Sequence, residues 1–354
     1  MADHALIVGA TGIIGGALVE RLVETGGWSI SGLARHAQSH PGVDAIRVDL
    51  TDAGAVKQAL ASRGITHAFI CTWSRQATEA ENCRVNGAML RNVLDAVDGG
   101  TLRHVALVTG TKHYLGPFEA FGKRGAETPF RETQPRLPVE NFYYAQEDIL
   151  FDAAARDGFT WSVHRPHTVI GYAVGNVMNM ASTLAAYAVI CRETGRPFVF
   201  PGSPQQYTAV TDVTDARILA RHLVWAATTP AAANEAFNVV NGDVFRWRWL
   251  WDKIAAYFEL EAPEYPGHPT PLVEQMRDAG PVWDRIVAKY GLEPNPIDRV
   301  ASWWHSDADL GRTLETFNDM SKSRRLGFLD YQETDGSFTD FFSRLRAARI
   351  VPRA

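Results

Sequence analysis

Gly9-Ala10-Thr11-Gly12-Ile13-Ile14-Gly15 follows an apolar run over residues 4–10 and opens a helical pattern over 13–25. Glycine at this G-x-x-G-x-x-G spacing lets the backbone turn tightly and approach a pyrophosphate at a helix N-terminus. The motif alone is a weak signal, because a plain strand–helix turn also uses glycine. Placed after the first strand and before the first helix, it becomes a strong one.

The same alternation continues outward. Residues 28–34, 45–50, 67–73, 104–110 and 160–166 read as buried strands, separated by helical patterns over 52–63, 77–97 and 142–157. Strand–helix alternation of this kind predicts an α/β fold, a Rossmann-type doubly wound parallel sheet. After Pro166 the pattern changes. A helix over 180–193 precedes the turn-forming stretch 196–204, a further helix covers 212–228, and a strand at 236–240 returns to the sheet. From Phe245 the chain is rich in tryptophan and helical, interrupted by Pro263, Pro266, Pro269 and Pro271. Residues 1–170 with about 205–245 are therefore expected to form a dinucleotide-binding Rossmann domain. About 171–204 with 246–354 form a smaller, mostly helical substrate-binding cap.

Of 354 residues, 46% are hydrophobic and 21% charged, which suits a globular chain with one large or two smaller cores. The net charge of −5 gives no reason to expect nucleic acid or an anionic membrane as partner. No apolar stretch approaches the roughly eighteen residues that a membrane span requires. Cys71, Cys83 and Cys191 form no C-x-x-C unit and read as reduced residues of a cytoplasmic protein. His113, His164 and His167 lack a companion set of cysteines or carboxylates at ligand spacing, so no metal is expected.

The second strand selects the cofactor. An NAD-binding strand normally ends in Asp or Glu, which holds the ribose 2′-hydroxyl. Here the end reads Leu33-Ala34-Arg35-His36, so a guanidinium is available for a 2′-phosphate and the expected cofactor is NADPH. A charge-assisted bond of about 1.5–3 kcal/mol favours NADPH over NADH ten- to a hundredfold. The alternative is that Arg35 is a solvated loop charge. Asp49 and Leu50 end the third strand and are expected near the adenine, although Asp49 also suits a helix cap. The remaining expected cofactor contacts are Thr72, Trp73, Thr109, Gly110, Tyr143, Pro166 and Val169.

Tyr143, within Asn141-Phe142-Tyr143-Tyr144, has Glu147 four residues later, where short-chain dehydrogenases carry lysine. The nearby lysine is Lys112, upstream in Gly110-Thr111-Lys112-His113-Tyr114. The runs 110–119, 141–144, 147–150 and 161–166, with Cys71-Thr72-Trp73, Asn82-Cys83, 234–239, 241–245 and Trp303-Trp304, resemble the progesterone 5β-reductase and iridoid synthase family. The resemblance spans almost the whole chain. It implies an atypical extended short-chain dehydrogenase fold, reduction of the carbon–carbon double bond of activated enones with NADPH, and a homodimer. Residue by residue, it places the catalytic lysine at Lys112 and the catalytic tyrosine at Tyr143.

The chemistry agrees. Hydride reaching the β-carbon of an enone drives charge onto the carbonyl oxygen, and a phenol aimed there stabilises the enolate. Lys112 is expected to lower the phenol pKa, while burial acts the other way. The competing reading is a surface Lys112 and a Tyr143 that only packs in a helix. Trp73, Phe118 and Tyr207 suit an aromatic pocket wall, with core packing as the competing role for each. His305 stands where plant members of that family show Phe, which puts a steroid or iridoid substrate in doubt; the alternative is an exposed histidine. Carbonyl reductase, epimerase or dehydratase activity is a second functional reading, and a non-catalytic NADP(H) sensor a third.

Overall fold

The computed structural model describes residues 3–37, 40–97, 100–117, 127–176 and 178–353. In chain order it runs β1 (Asp3–Val8), α1 (Ile13–Thr25), β2 (Trp28–Ala34), β3 (Asp44–Arg47), α2 (Ala53–Leu60), β4 (His67–Ile70), α3 (Glu79–Leu94), β5 (His104–Val108), α4 (Lys112–Leu115), α5 (Phe142–Asp157) and β6 (Thr160–Pro166). There follow β7 (Val169–Ile170), α6 (Met180–Thr194), α7 (Pro204–Thr208), β8 (Thr214–Asp215), α8 (Ala216–Thr228) and β9 (Glu235–Val239). Helices α9 (Trp247–Tyr257), α10 (Leu272–Gln275), α11 (Ala279–Tyr290), α12 (Ile297–Val300), α13 (Trp303–Leu310), α14 (Ser321–Arg325) and α15 (Thr334–Ala347) complete the chain. Two units result. The first comprises Met1–His167, Ala216–Val239 and Asn318–Asp330; the second comprises Thr168–Asp215, Val240–Phe317 and Tyr331–Ala354.

The first unit holds a seven-stranded sheet in the order β3-β2-β1-β4-β5-β6-β9, every pairing parallel. Such a sheet must be covered on both faces, and β1 shows how. Leu6 and Val8 join an apolar layer with Val56, Leu60, Leu90, Leu94 and Leu150 of α2, α3 and α5. Ala5 and Ile7 turn the other way, to Leu18 and Leu22 of α1 and Leu219 and Leu223 of α8. The strand order reverses between β1 and β4, so the crevice beyond their C-terminal ends is the expected ligand position in such a fold.

The expected strands and helices of this sheet are all present, several one to four residues shorter at an end. The tail differs more. Residues 318–330, which the sequence pattern assigns to the cap, pack with the first unit: Asp319 N–H donates to Phe130 O at 2.9 Å, and Lys322 Nζ pairs with Glu235. Residues 205–215, expected with the sheet, belong instead to the second unit.

A polar file crosses the first unit. His104 Nε2 and His164 Nε2 each lie 2.9 Å from Ser162 Oγ, His164 Nδ1 lies 3.1 Å from His222 Nδ1, and His222 Nε2 lies 3.0 Å from Ser323 Oγ. Burial depresses the pKa of all three imidazoles, to about 3 for His104 and His222. An unfolded chain takes up these protons near pH 6.5 while the folded one refuses them, so stability is full above that pH and falls as pH drops toward 3. The expected result is a urea midpoint that decreases between about pH 7 and about pH 5. A flat midpoint across that range would show that the buried file accepts protons without cost.

In the second unit α6 is buried on every side from Met180 to Cys191, the pattern of a central helix. It packs against α11, α12, α13 and α15. Trp251 stacks on Phe198 at 4.2 Å and donates its indole N–H to the Phe198 carbonyl at 3.0 Å, which satisfies the one polar atom of a fully buried ring.

Candidate active site

The glycine loop is shaped by close approach. Gly9 has φ +89°, and a Cβ there would stand 2.7 Å from Thr72 Cβ beyond β4. A Cβ on Gly15 would stand 2.2 Å from the Gly9 carbonyl oxygen, so α1 can start this close to β1 only with glycine. Gly12 occupies the N-cap of α1 and supplies no side-chain oxygen. The first amides of the helix are left for an external acceptor. Arg35 and His36 are exposed just past β2. An uncapped helix end, glycines packed backbone to backbone and a nearby guanidinium fit a phosphorylated dinucleotide.

The other expected contacts fall in different environments. Ile13 is buried, Ile14 half-buried and Thr11 exposed. The Asp49 carboxylate accepts from the Thr51 amide and hydroxyl at 2.9 and 2.8 Å, which holds its pKa down; the cap of α2 is Asp52. Leu50 belongs to the core. Thr109 is buried with its amide bonded to the His164 carbonyl, and the Pro166 carbonyl accepts from Thr111 N–H at 3.0 Å. Val169 lies in β7 of the second unit.

Lys112, just past the end of β5, and Tyr143, in the first turn of α5, both pack against Phe142. A Cβ on Gly110 would touch the Tyr143 hydroxyl at 3.3 Å, so the phenol sits against bare backbone. Lys112 Nζ lies 4.9 Å from the centre of the Trp73 ring and 5.3 Å from that of Phe142, two rings that stack on each other. Phe142 in turn packs on Tyr143 at 4.2 Å. Lys112 is therefore held among aromatic faces beside the tyrosine, in a cation–π arrangement.

The two adjacent tyrosines divide their roles. Tyr144 Oη donates to the His113 carbonyl at 2.5 Å and accepts from Leu137 N–H at 3.0 Å. Tyr143 Oη has no hydrogen-bond partner among the described residues. Burial, and then the charge of Glu79, push the Tyr143 pKa well up. Desolvation of the buried phenolate and the Glu79 charge set the direction, opposite to the lowering expected from Lys112. A raised pKa keeps the proton on the phenol, which leaves the O–H able to donate.

Glu147 is turned away from the site. Its carboxylate accepts from Arg136 at 2.9 Å and Arg165 at 3.1 Å and lies 3.5 Å from His113 Nδ1. Burial alone would raise its pKa; the nearby His113 imidazole and the charge of Arg165 reverse this and bring it to about 2. Asn141, Arg136 and Arg165 were not singled out by sequence. An Asn just before the apolar start of a helix is a recognisable cap, whereas the two arginines carry no local signal.

Trp73 is half-buried over Lys112, while Phe118 lies outside the described residues. Tyr207 of the second unit stacks on Tyr265 at 4.4 Å and packs on that unit's core. His305 is half-buried within α13, edge-on to Trp304 at 5.7 Å. Among the described residues no three metal-ligating side chains cluster, and no helix is long and apolar enough to cross a membrane.

Residues 48–352 match the family model of the PRISE-like Rossmann-fold domain. The chain belongs to the PRISE-like family. Among relatives of this PRISE-like chain, an (S)-8-oxocitronellyl enol synthase of Nepeta cataria is 41% identical over 98% of this chain and 93% of its own. A 3-oxo-Delta(4,5)-steroid 5-beta-reductase of Arabidopsis thaliana is 40% identical over the same shares. The solved structure of the enzyme WbmH of Bordetella bronchiseptica, in complex with NAD+, matches with a TM-score of 0.66. It is 16% identical and covers 98% of this chain and 99% of its own, a likeness of fold alone.

Proposed function

We propose that this protein is an NADPH-dependent reductase of the carbon–carbon double bond of enones and enals. The observation that carries the reading is the Tyr143 hydroxyl, its proton held by burial and its oxygen bonded to no described residue, beside Gly110 and next to the Phe142 ring on which Lys112 Nζ rests. A bound nicotinamide supplies the hydride. Tyr143 donates its hydrogen bond to the substrate carbonyl oxygen, where negative charge gathers as the β-carbon is reduced. Lys112 adds positive charge to the same region, and the Trp73 and Phe142 rings exclude water from it. The first unit holds the dinucleotide on Gly9–Gly15 and Arg35.

Alcohol oxidation, as in epimerases and dehydratases, calls for the tyrosine as a base. A phenol whose pKa is pushed up is a poor one, and Glu147 cannot stand in for the missing lysine. The relatives named as a steroid 5-beta-reductase and an enol synthase fit double-bond reduction of conjugated carbonyls.

The test is incubation of purified protein with NADPH and 2-cyclohexen-1-one, followed by product analysis. Saturated ketone is expected; allylic alcohol indicates carbonyl reduction, and binding without NADPH oxidation a sensor. A second expected result concerns cofactor choice: Arg35→Ala weakens NADPH about ten- to a hundredfold and leaves NADH unchanged. Equal losses for both cofactors in titrations would remove Arg35 from the 2′-phosphate.

A further inference from the structure

Tyr143 and Lys112 come from segments about thirty residues apart, and α4, which carries Lys112, is a single turn. A helix of one turn has almost no stability of its own. Something must hold it to α5. The polar atoms between the two segments identify what does.

Asn141 is buried at the N-cap of α5. Its side-chain oxygen accepts from Tyr143 N–H at 3.0 Å, and its side-chain NH2 donates to the Lys112 carbonyl at 2.9 Å. One amide thus touches the backbone of both residues. The neighbouring amide, Phe142 N–H, is taken by Glu79 at 2.7 Å, so the first turn of α5 is fixed from two sides. The Lys112 carbonyl also accepts from Gly116 N–H at 2.9 Å, the bond that closes α4.

Capping alone does not explain asparagine here. Asp and Ser cap helices as well as Asn does. Neither repeats the second bond: Asp has no donor, and Ser is too short to reach across. We infer that Asn141 is a positioning residue that sets the spacing of Lys112 and Tyr143 by bridging their backbones. This deepens the reading of those two as the catalytic pair and rests on it.

The experiment uses Asn141→Asp and Asn141→Ser, both of which keep the cap, with Tyr143→Phe in parallel. Each Asn141 variant is expected to lose about ten- to a hundredfold in kcat on 2-cyclohexen-1-one, because small misplacements near reacting groups cost that much. NADPH affinity is expected to stay at the wild-type value, while the urea midpoint falls in both variants, most in Asn141→Asp, whose carboxylate faces the Lys112 carbonyl. Amide hydrogen exchange is expected to rise across residues 111–116 and to remain slow across α5. Wild-type kcat in both variants, with Tyr143→Phe inactive, overturns the inference and leaves the catalytic pair standing. A lowered urea midpoint with unchanged kcat overturns it too, since that is the mark of a purely structural cap. A Tyr143→Phe enzyme with full turnover sinks the pair, and the bridge loses its purpose.

Discussion

Tyr143→Phe is expected to lose at least about a hundredfold in kcat while NADPH affinity and thermal stability stay unchanged. The structure makes this a clean substitution. The phenol oxygen bonds to no described residue, so removing it orphans nothing. The ring, which packs on Phe142 at 4.2 Å, is kept. What is lost is one donor aimed at a developing oxyanion, worth about 2.7–4 kcal/mol of barrier. Because burial holds the proton on the phenol, the wild-type rate should be flat with pH through the neutral range as far as Tyr143 is concerned. Tyr144→Phe is the matched control. Its hydroxyl bridges the Leu137 amide and the His113 carbonyl, so that change should cost stability, about 1–3 kcal/mol for the orphaned groups. Unchanged turnover in Tyr143→Phe would remove the residue from the mechanism.

The sheet was legible because its information is local. Apolar runs, a glycine loop and helix starts each lie within a dozen residues, and the ranges of β2, α1, α5 and β6 follow from them directly. The tail was not. The segment 318–330 docks on the first unit through Asp319, Lys322 and Ser323, each bonded to a partner some ninety to two hundred residues earlier, and no periodicity announces such partners. The site divides along the same line. Tyr143 and Lys112 could be picked out by residue type and motif, and Asn141 had a cap signal that pointed only to α5. The fate of Glu147 was invisible. Its absence from the lysine role could be read, but the arginines that hold it lie on a loop and on β6.

Those arginines make Glu147→Lys the most damaging single change we expect. It restores the Tyr-x-x-x-Lys spacing of ordinary short-chain dehydrogenases, and by motif alone it should bring dehydrogenase chemistry with it. The structure argues the reverse. The Glu147 side chain is 2% exposed, with the guanidinium of Arg165 at 3.1 Å, that of Arg136 at 2.9 Å and the His113 imidazole at 3.5 Å. A lysine there replaces the shared acceptor with a third cation in a site closed to water. Removing one partner of a buried pair typically costs about 3–5 kcal/mol, and like-charge contact adds to that. Arg136 can fall back on Asp148 at 2.7 Å and is about one-third exposed, so it escapes. Arg165 is 6% exposed and has no described carboxylate other than Glu147 within ion-pair distance, so the damage concentrates on β6 beneath α5. Glu147→Gln keeps the shape and part of the hydrogen bonding and should lose less, about 1.5–3 kcal/mol. Urea unfolding of the two variants orders the effects: Lys far below Gln, and Gln below wild type. A Glu147→Lys protein that unfolds at the wild-type midpoint would show that the carboxylate is not what holds Arg165 in place.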